Sequence, residues 1–201
     1  MTAARATFAL NAAECVRRVL FVIFPVPLPA LSLAQAPGIP LTRLSEFARP
    51  PLFEAASTYA TIGLSDHLLE LADGRQVRQE LLFAAHDNYA SDAIASFLLS
   101  FSEFVRSKSW ALARGDVVGP SAALIPGVAV NSVYACPPVI FPEGLGLYSG
   151  SSPSTIIAWL VPLTGDEGSA AKRIGGDSFE EMLERSNPDL LDLNRPGIIS
   201  G

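Results

Sequence analysis

The sequence predicts one mixed α/β (α+β) domain. Three observations predict it: two strand-like runs on either side of an Asp-Gly turn, one long amphipathic helix, and a nine-residue apolar run followed by two helix-start signals. The first strand is Ser57–Leu64, where small and β-branched residues surround Tyr59, Thr61 and Ile62. Asp73-Gly74 is a turn signal. Val77–Ala85 follows as the second strand, a hairpin partner of the first through that turn, with His67–Leu71 as a short turn or strand end. Between Ser91 and Lys108, Ile94, Phe97, Leu98, Phe101, Phe104 and Val105 recur at steps of three and four, which places them on one helix face. Ser91 or Asp92 is positioned to cap its start, and Arg106 and Lys108 suit the negative end of its dipole. Gly119–Leu147 alternates turn residues with short apolar runs at 123–125, 128–133 and 139–141, read as short strands and loops. Thr155–Leu163 is apolar without a break and rich in β-branched residues, the pattern of a strand buried on both faces. Thr164-x-x-Glu167 and Ser178-x-x-Glu181 have the spacing of capping boxes. The second would open a helix over Phe179–Arg185, which Asn187-Pro188 stops.

Composition narrows the functional classes. Hydrophobic residues make up 49% of the 201 and charged residues 17%, which argues against disorder. The net charge is −6, so the surface repels nucleic acid and anionic membrane and favours basic partners. The acidic residues concentrate between Asp177 and Asp192, making the C-terminal part the expected acidic face. The two cysteines, Cys15 and Cys136, give neither a disulfide framework nor a zinc pattern.

Residues 1–42 differ from 43–201. They are rich in Ala and Pro and carry one acidic residue, Glu14. Arg17 and Arg18 precede an apolar run from Val19 to Ala34, which has the layout of a secretory signal. Pro25, Pro27 and Pro29 interrupt it and forbid a continuous helix. Two readings stand: a cleaved signal over 1–34 that would export the protein, or an apolar arm or atypical start on a cytoplasmic one.

Catalytic constellations are weak. Ser65-Asp66-His67 has the residue types of a relay, but neighbouring side chains point apart. Cys136 with either His67 or His86 is the other nucleophile candidate, so a small hydrolase using Cys136 or Ser65 is the enzyme alternative. Asp66, His67, His86 and Asp87 match no metal spacing. Glu180 and Glu181 are adjacent on one helix rather than facing each other as glycosidase carboxylates do. The glycines of 144–150 lack the following helix of a dinucleotide fingerprint and read as a loop. No metal, cofactor, nucleic acid or membrane is expected.

Four segments remain: Thr61-Ile62-Gly63-Leu64-Ser65-Asp66, Glu80-Leu81-Leu82-Phe83, Trp159 to Thr164 running into Glu167, and Asp192-Leu193-Asn194-Arg195. In this order and spacing they resemble the suppressor of fused family, over roughly residues 43 to 199. Trp110 matches the aromatic that follows the family's long helix. The resemblance implies a central mixed sheet packed against helices and a protein-binding role without catalysis. The family includes an animal regulator that restrains a transcription factor and one-domain bacterial members linked with toxin systems as immunity proteins. The expected partner is therefore a protein, in particular a basic toxin, bound through Glu180, Glu181, Glu184 and Asp189. Gly63 also has a structural reading as relief of a tight strand end, Glu167 as a helix cap, and Arg195 as the partner of an internal carboxylate. The family's opening helix and strand are not evident in 1–42, and the animal protein's second domain has no counterpart here.

Overall fold

The computed structural model describes residues 56–141 and 145–199. The 1–42 segment and the start of the domain at residue 43 lie outside the described residues. Among the described residues, seven strands form the sheet: β1 (Ala56–Ala60), β2 (Leu69–Glu70), β3 (Gln76–His86), β4 (Val117–Val118), β5 (Val130–Cys136), β6 (Leu147–Tyr148) and β7 (Thr155–Thr164). Its order is β1-β3-β7-β5-β4, with β2 also on β3 and β6 also on β7. Only the β3–β7 pair is parallel (Arg78↔Thr155 to Leu82↔Trp159); the other pairs are antiparallel. The sheet is mixed, as expected. Among the described residues, three helices pack on it: α1 (Ser91–Ser107), α2 (Glu167–Ile174) and α3 (Gly176–Ser186). No helix among the described residues is long and apolar enough to cross a membrane.

The period-2 geometry of strands explains the unbroken apolar run. Ala158 and Leu160 of β7 join Leu81, Phe83 and Ala85 of β3 on one face, where α1 lays Ile94, Leu98, Phe101 and Val105. Trp159, Val161 and Leu163 point to the other face, with Leu82, Tyr134, Ala171 and Phe179. Both faces of β7 are therefore apolar, because helices cover both sides of the sheet. Pro162 sits in this central strand beyond the ladder with β3, so its missing N–H costs no bond there.

Several local expectations are corrected. The first strand stops at Ala60, because Gly63 takes φ 108° and turns the chain into a 3-10 turn at Leu64–Asp66. The Asp73-Gly74 turn joins β3 to the two-residue β2 rather than to β1, although β1 does pair antiparallel with β3. Runs 123–125 and 139–141 form no strand, and 128–133 becomes β5, shifted to Val130–Cys136. The 144–150 stretch contributes a two-residue edge strand, β6. Ala90 occupies the N-cap of α1 without a side-chain bond, and the Ser91 hydroxyl instead accepts from Tyr59. The Ser178 box does not form: α3 begins two residues earlier at Gly176, after Gly175 at φ 85°. Half of the Thr164 box forms, since Glu167 accepts from the Thr164 amide at 2.9 Å while the buried Thr164 hydroxyl has no partner. Gly168 is required by packing, because a Cβ there would lie 2.4 Å from the Ser132 hydroxyl oxygen.

Candidate functional site

The four motif segments form two polar clamps. In the first, the Glu80 carboxylate on β3 accepts from the Thr61 hydroxyl (2.5 Å), the Gly63 amide (2.9 Å) and the Ser65 amide (3.0 Å). The Thr61 hydroxyl also accepts from the Leu81 amide at 2.8 Å. Arg78, two residues before Glu80, donates to the Ser65 carbonyl at 2.6 Å and to the Ser152 carbonyl at 3.4 Å. The first two motifs are thus one unit: a strand carboxylate that satisfies the backbone of the turn leaving β1. Replacing Glu80 with alanine leaves those donors unpaired, at a cost of about 1–3 kcal/mol. The amides of Gly63 and Ser65 should then exchange with deuterium much faster than in the parent, which native-state hydrogen exchange would measure.

In the second clamp, Arg195 grips Glu167 through two N–H···O bonds of 2.6 and 2.7 Å. Glu167 is fully buried and Arg195 is 3% exposed. Glu167 also accepts from the Ile198 amide, and Arg195 donates to the Pro162 carbonyl. The third and fourth motifs therefore meet, tying the C-terminal segment to the end of β7. Both structural readings of these residues hold together, since Glu167 reaches back over the helix start and Arg195 is its internal partner.

The C-terminal segment makes further cross-chain bonds. His86 bonds Asp189 at 2.7 Å, Tyr89 donates to Asp192, and Asn194 accepts from the Ala129 amide. Burial pushes the Asp189 carboxyl upward. The bonds from His86 and the Leu191 amide outweigh it and hold the carboxyl below its usual range.

The four residues expected to face a partner thus divide. Glu181 and Glu184 are exposed on α3. Glu180 is engaged internally: Arg114 grips it with bonds of 3.0 and 2.5 Å, and the Tyr134 hydroxyl donates to it at 2.7 Å. Arg114 also reaches Asp177 at 3.3 Å. Asp189 is exposed and bonded by His86. These pairings join residues far apart in sequence, and no local pattern announces them.

The Arg114 bond, aided by the Tyr134 hydroxyl, holds the Glu180 carboxyl below its ordinary range against the opposing effect of burial. A carboxyl lowered in the folded state stabilises the fold above its unfolded value and loses that effect as pH falls through the folded one. Glu180→Gln should therefore flatten the acid side of the stability curve, most visibly between about pH 5 and pH 3, as urea midpoints measured at each pH will show.

The nucleophile candidates are not poised. Burial, followed by the charge of Glu180, pushes the Cys136 thiol up to about 12, so at neutral pH it is a poor nucleophile. The Ser65 backbone is held between Glu80 and Arg78, and His67 is exposed on the following residue pair. His86 bonds Asp189 at the opposite end of β3. Among the described residues, no group of three or more His, Cys, Asp and Glu side chains could hold a metal ion.

Comparison with known proteins places this arrangement. A family model for suppressor of fused protein (SUFU) matches residues 40–196. The chain is 25% identical over 150 residues to the Bacillus subtilis (strain 168) protein named immunity protein YqcF, covering 73% of this chain and 76% of that one. A suppressor of fused homologue from Neisseria gonorrhoeae FA 1090 superposes with a TM-score of 0.61 at 13% identity, over 98% of this chain and 97% of that one. Drosophila Suppressor of Fused superposes with a TM-score of 0.57 at 14% identity, over 71% of this chain and 39% of that longer one. The structure of a Sufu–Fu complex gives 0.56 at 16% identity, over 71% of this chain and 70% of that one. The match spans both clamps from Thr61 to Arg195, and the chain belongs to the suppressor of fused family.

Proposed function

We propose that this domain works by binding a protein, without catalysis, as an immunity protein that neutralises a toxin in the bacterial cytoplasm. The observation that carries the reading is the similarity to immunity protein YqcF across 76% of that protein's length. Two further features support it. The Sufu–Fu complex is a protein–protein assembly on a related fold. The raised Cys136 thiol weighs against the hydrolase alternative.

The net charge of −6 favours a basic toxin. The acidic α3 face would steer it, with Glu181 and Glu184 exposed, Glu180 held by Arg114, and Asp189 exposed beside His86 just after the helix. Co-expression with a toxin encoded beside this gene is the test. Growth is expected to be restored, and the purified pair to associate. Glu181→Lys with Glu184→Lys should lower the association rate by roughly 10-fold at low salt and much less near 0.5 M, because screening shortens the reach of these charges. Failure to restore growth against any adjacent toxin overturns the immunity reading. An association rate unchanged at low salt removes the α3 face.

A further inference from the structure

We propose that α3 is a latched flap: Arg114 holds it shut over Cys136 through Glu180, and when the latch lets go the helix swings out as a unit and bares the thiol. This is a property of the free protein and stands apart from the immunity reading above. The anchoring of α3 is sparse. Phe179 alone among its residues is fully buried, packed against Tyr134 with ring centroids 5.5 Å apart. Met182 and Leu183 are half-buried, and Asp177, Ser178, Glu181, Glu184, Arg185 and Ser186 are exposed. An 11-residue helix does not persist by itself in water, so α3 lasts only while its contacts hold it. Besides the packing of Phe179, the main contact is polar. Arg114, on the loop leading into β4, grips Glu180 with two N–H groups and reaches Asp177, while the Tyr134 hydroxyl donates to the same Glu180 carboxylate. The Arg114 side chain is 56% exposed, so water and salt compete for it. A contact open to solvent on one side can break without the core opening.

The backbone changes direction at both ends of α3. Gly175 has φ 85° and Asn187 φ 41°, so the helix runs on neither into α2 nor into the C-terminal segment. Such breaks confine an opening to the helix between them. The C-terminal segment has its own ties: Asp189 and the Leu191 carbonyl bond His86, and Asp192 bonds Tyr89, so it stays in place when α3 moves. At its start α3 lies close against the Arg114 loop. A Cβ on Gly176 would come within 2.9 Å of the Tyr134 hydroxyl and 3.2 Å of the Gly115 Cα.

Cys136 lies beneath. It follows Tyr134 by two residues on β5, so the two side chains share a face of the sheet. It is half-buried and packs against the same apolar cluster as Phe179. Both Glu180 and Arg114 lie near enough to act on its thiol by charge. With α3 closed, burial keeps this thiol protonated and inert. With α3 open, water reaches it and it reacts as an ordinary cysteine. The thiol therefore reports the state of the flap.

The test is thiol labelling of the folded full chain carrying Cys15→Ser, which leaves Cys136 as its one cysteine. The probe is a small aromatic disulfide followed by absorbance. The parent is expected to react far more slowly than free cysteine, at a rate that changes little with urea below the unfolding transition, because a local opening exposes little surface. Arg114→Ala should react about 5-fold faster, and Arg114→Lys less than that, since lysine keeps the charge but lacks the fork. Losing a cation disfavours the thiolate, so a faster reaction reports opening and not a more reactive thiol. Added salt should narrow the gap between the parent and Arg114→Ala. Three results each overturn the proposal. Parent labelling as fast as free cysteine would mean that α3 does not cover the thiol. A rate that rises with urea as steeply as global unfolding would mean that α3 opens only with the whole domain. Equal rates in the parent and Arg114→Ala would mean that Arg114 is not the latch.

Discussion

Arg195→Ala is expected to destabilise the fold by about 3–5 kcal/mol, the cost of leaving a buried charge without its partner. Glu167 is fully buried, and Arg195 supplies two of its bonds, so the carboxylate cannot recover them from water. Glu167→Ala should cost a similar amount, because it strands the guanidinium and also frees the Thr164 and Ile198 amides. Removing both charges together, as Glu167→Gln with Arg195→Met, should be milder than either alanine substitution, since no unpaired charge remains. The strength of the pair is thus in how badly its rupture is tolerated; the buried Arg195 Nε, which has no partner, shows that its hydrogen bonding is incomplete. Urea denaturation of the parent and the three variants makes the comparison. Single variants with parental midpoints would show that the clamp contributes nothing.

Leu160→Asp is expected to abolish folding. Leu160 is fully buried on the α1 face of β7, between β3 and β5, where a carboxylate has neither water nor a cation. Burying it unpaired costs several kcal/mol on top of the lost leucine packing, a large part of the 5–15 kcal/mol that holds a typical domain together. Expression as insoluble protein, or a soluble product without a cooperative melt, is the predicted outcome; a soluble variant with a sharp transition refutes the central placement. Ile157→Asp, at the opening half of the strand, should be better tolerated, because Ile157 is only half-buried.

These two sites differ in how far the sequence announces them. The run from Thr155 to Leu163 reads as a doubly covered strand because both alternating sets of side chains are apolar, and the structure extends it by one residue. The stripe from Ile94 to Val105 likewise fixes α1, since its spacing fits only one periodicity; Phe104, 41% exposed, marks the stripe's edge. Helix starts were less legible. Ser91 and Ser178 have the right chemistry for caps, but a serine's hydroxyl caps only if the preceding backbone aims it, and Tyr59 and Gly175 set a different local geometry. The motifs resembling the suppressor of fused family lay in plain view as four short segments, while their physical meaning did not. That Glu80 binds the turn containing Gly63, and that Glu167 binds Arg195 from 28 residues away, depends on which strands lie side by side.

The acidic face shows the same division. Composition determined that the C-terminal part is acidic, since that is a property of residue counts. The tertiary structure decided which carboxylates gain a partner: Arg114 reaches Glu180 across 66 residues, and His86 reaches Asp189 across 103. It also decided that half-buried Cys136 has its thiol pushed upward, because desolvation depends on what packs above a strand end. By itself the sequence determined periodicity, charge and the order of the motifs, which are local or additive. Pairing, burial and exposure are relations between distant segments, and only the folded sheet, with β3 and β7 parallel at its centre, fixes them.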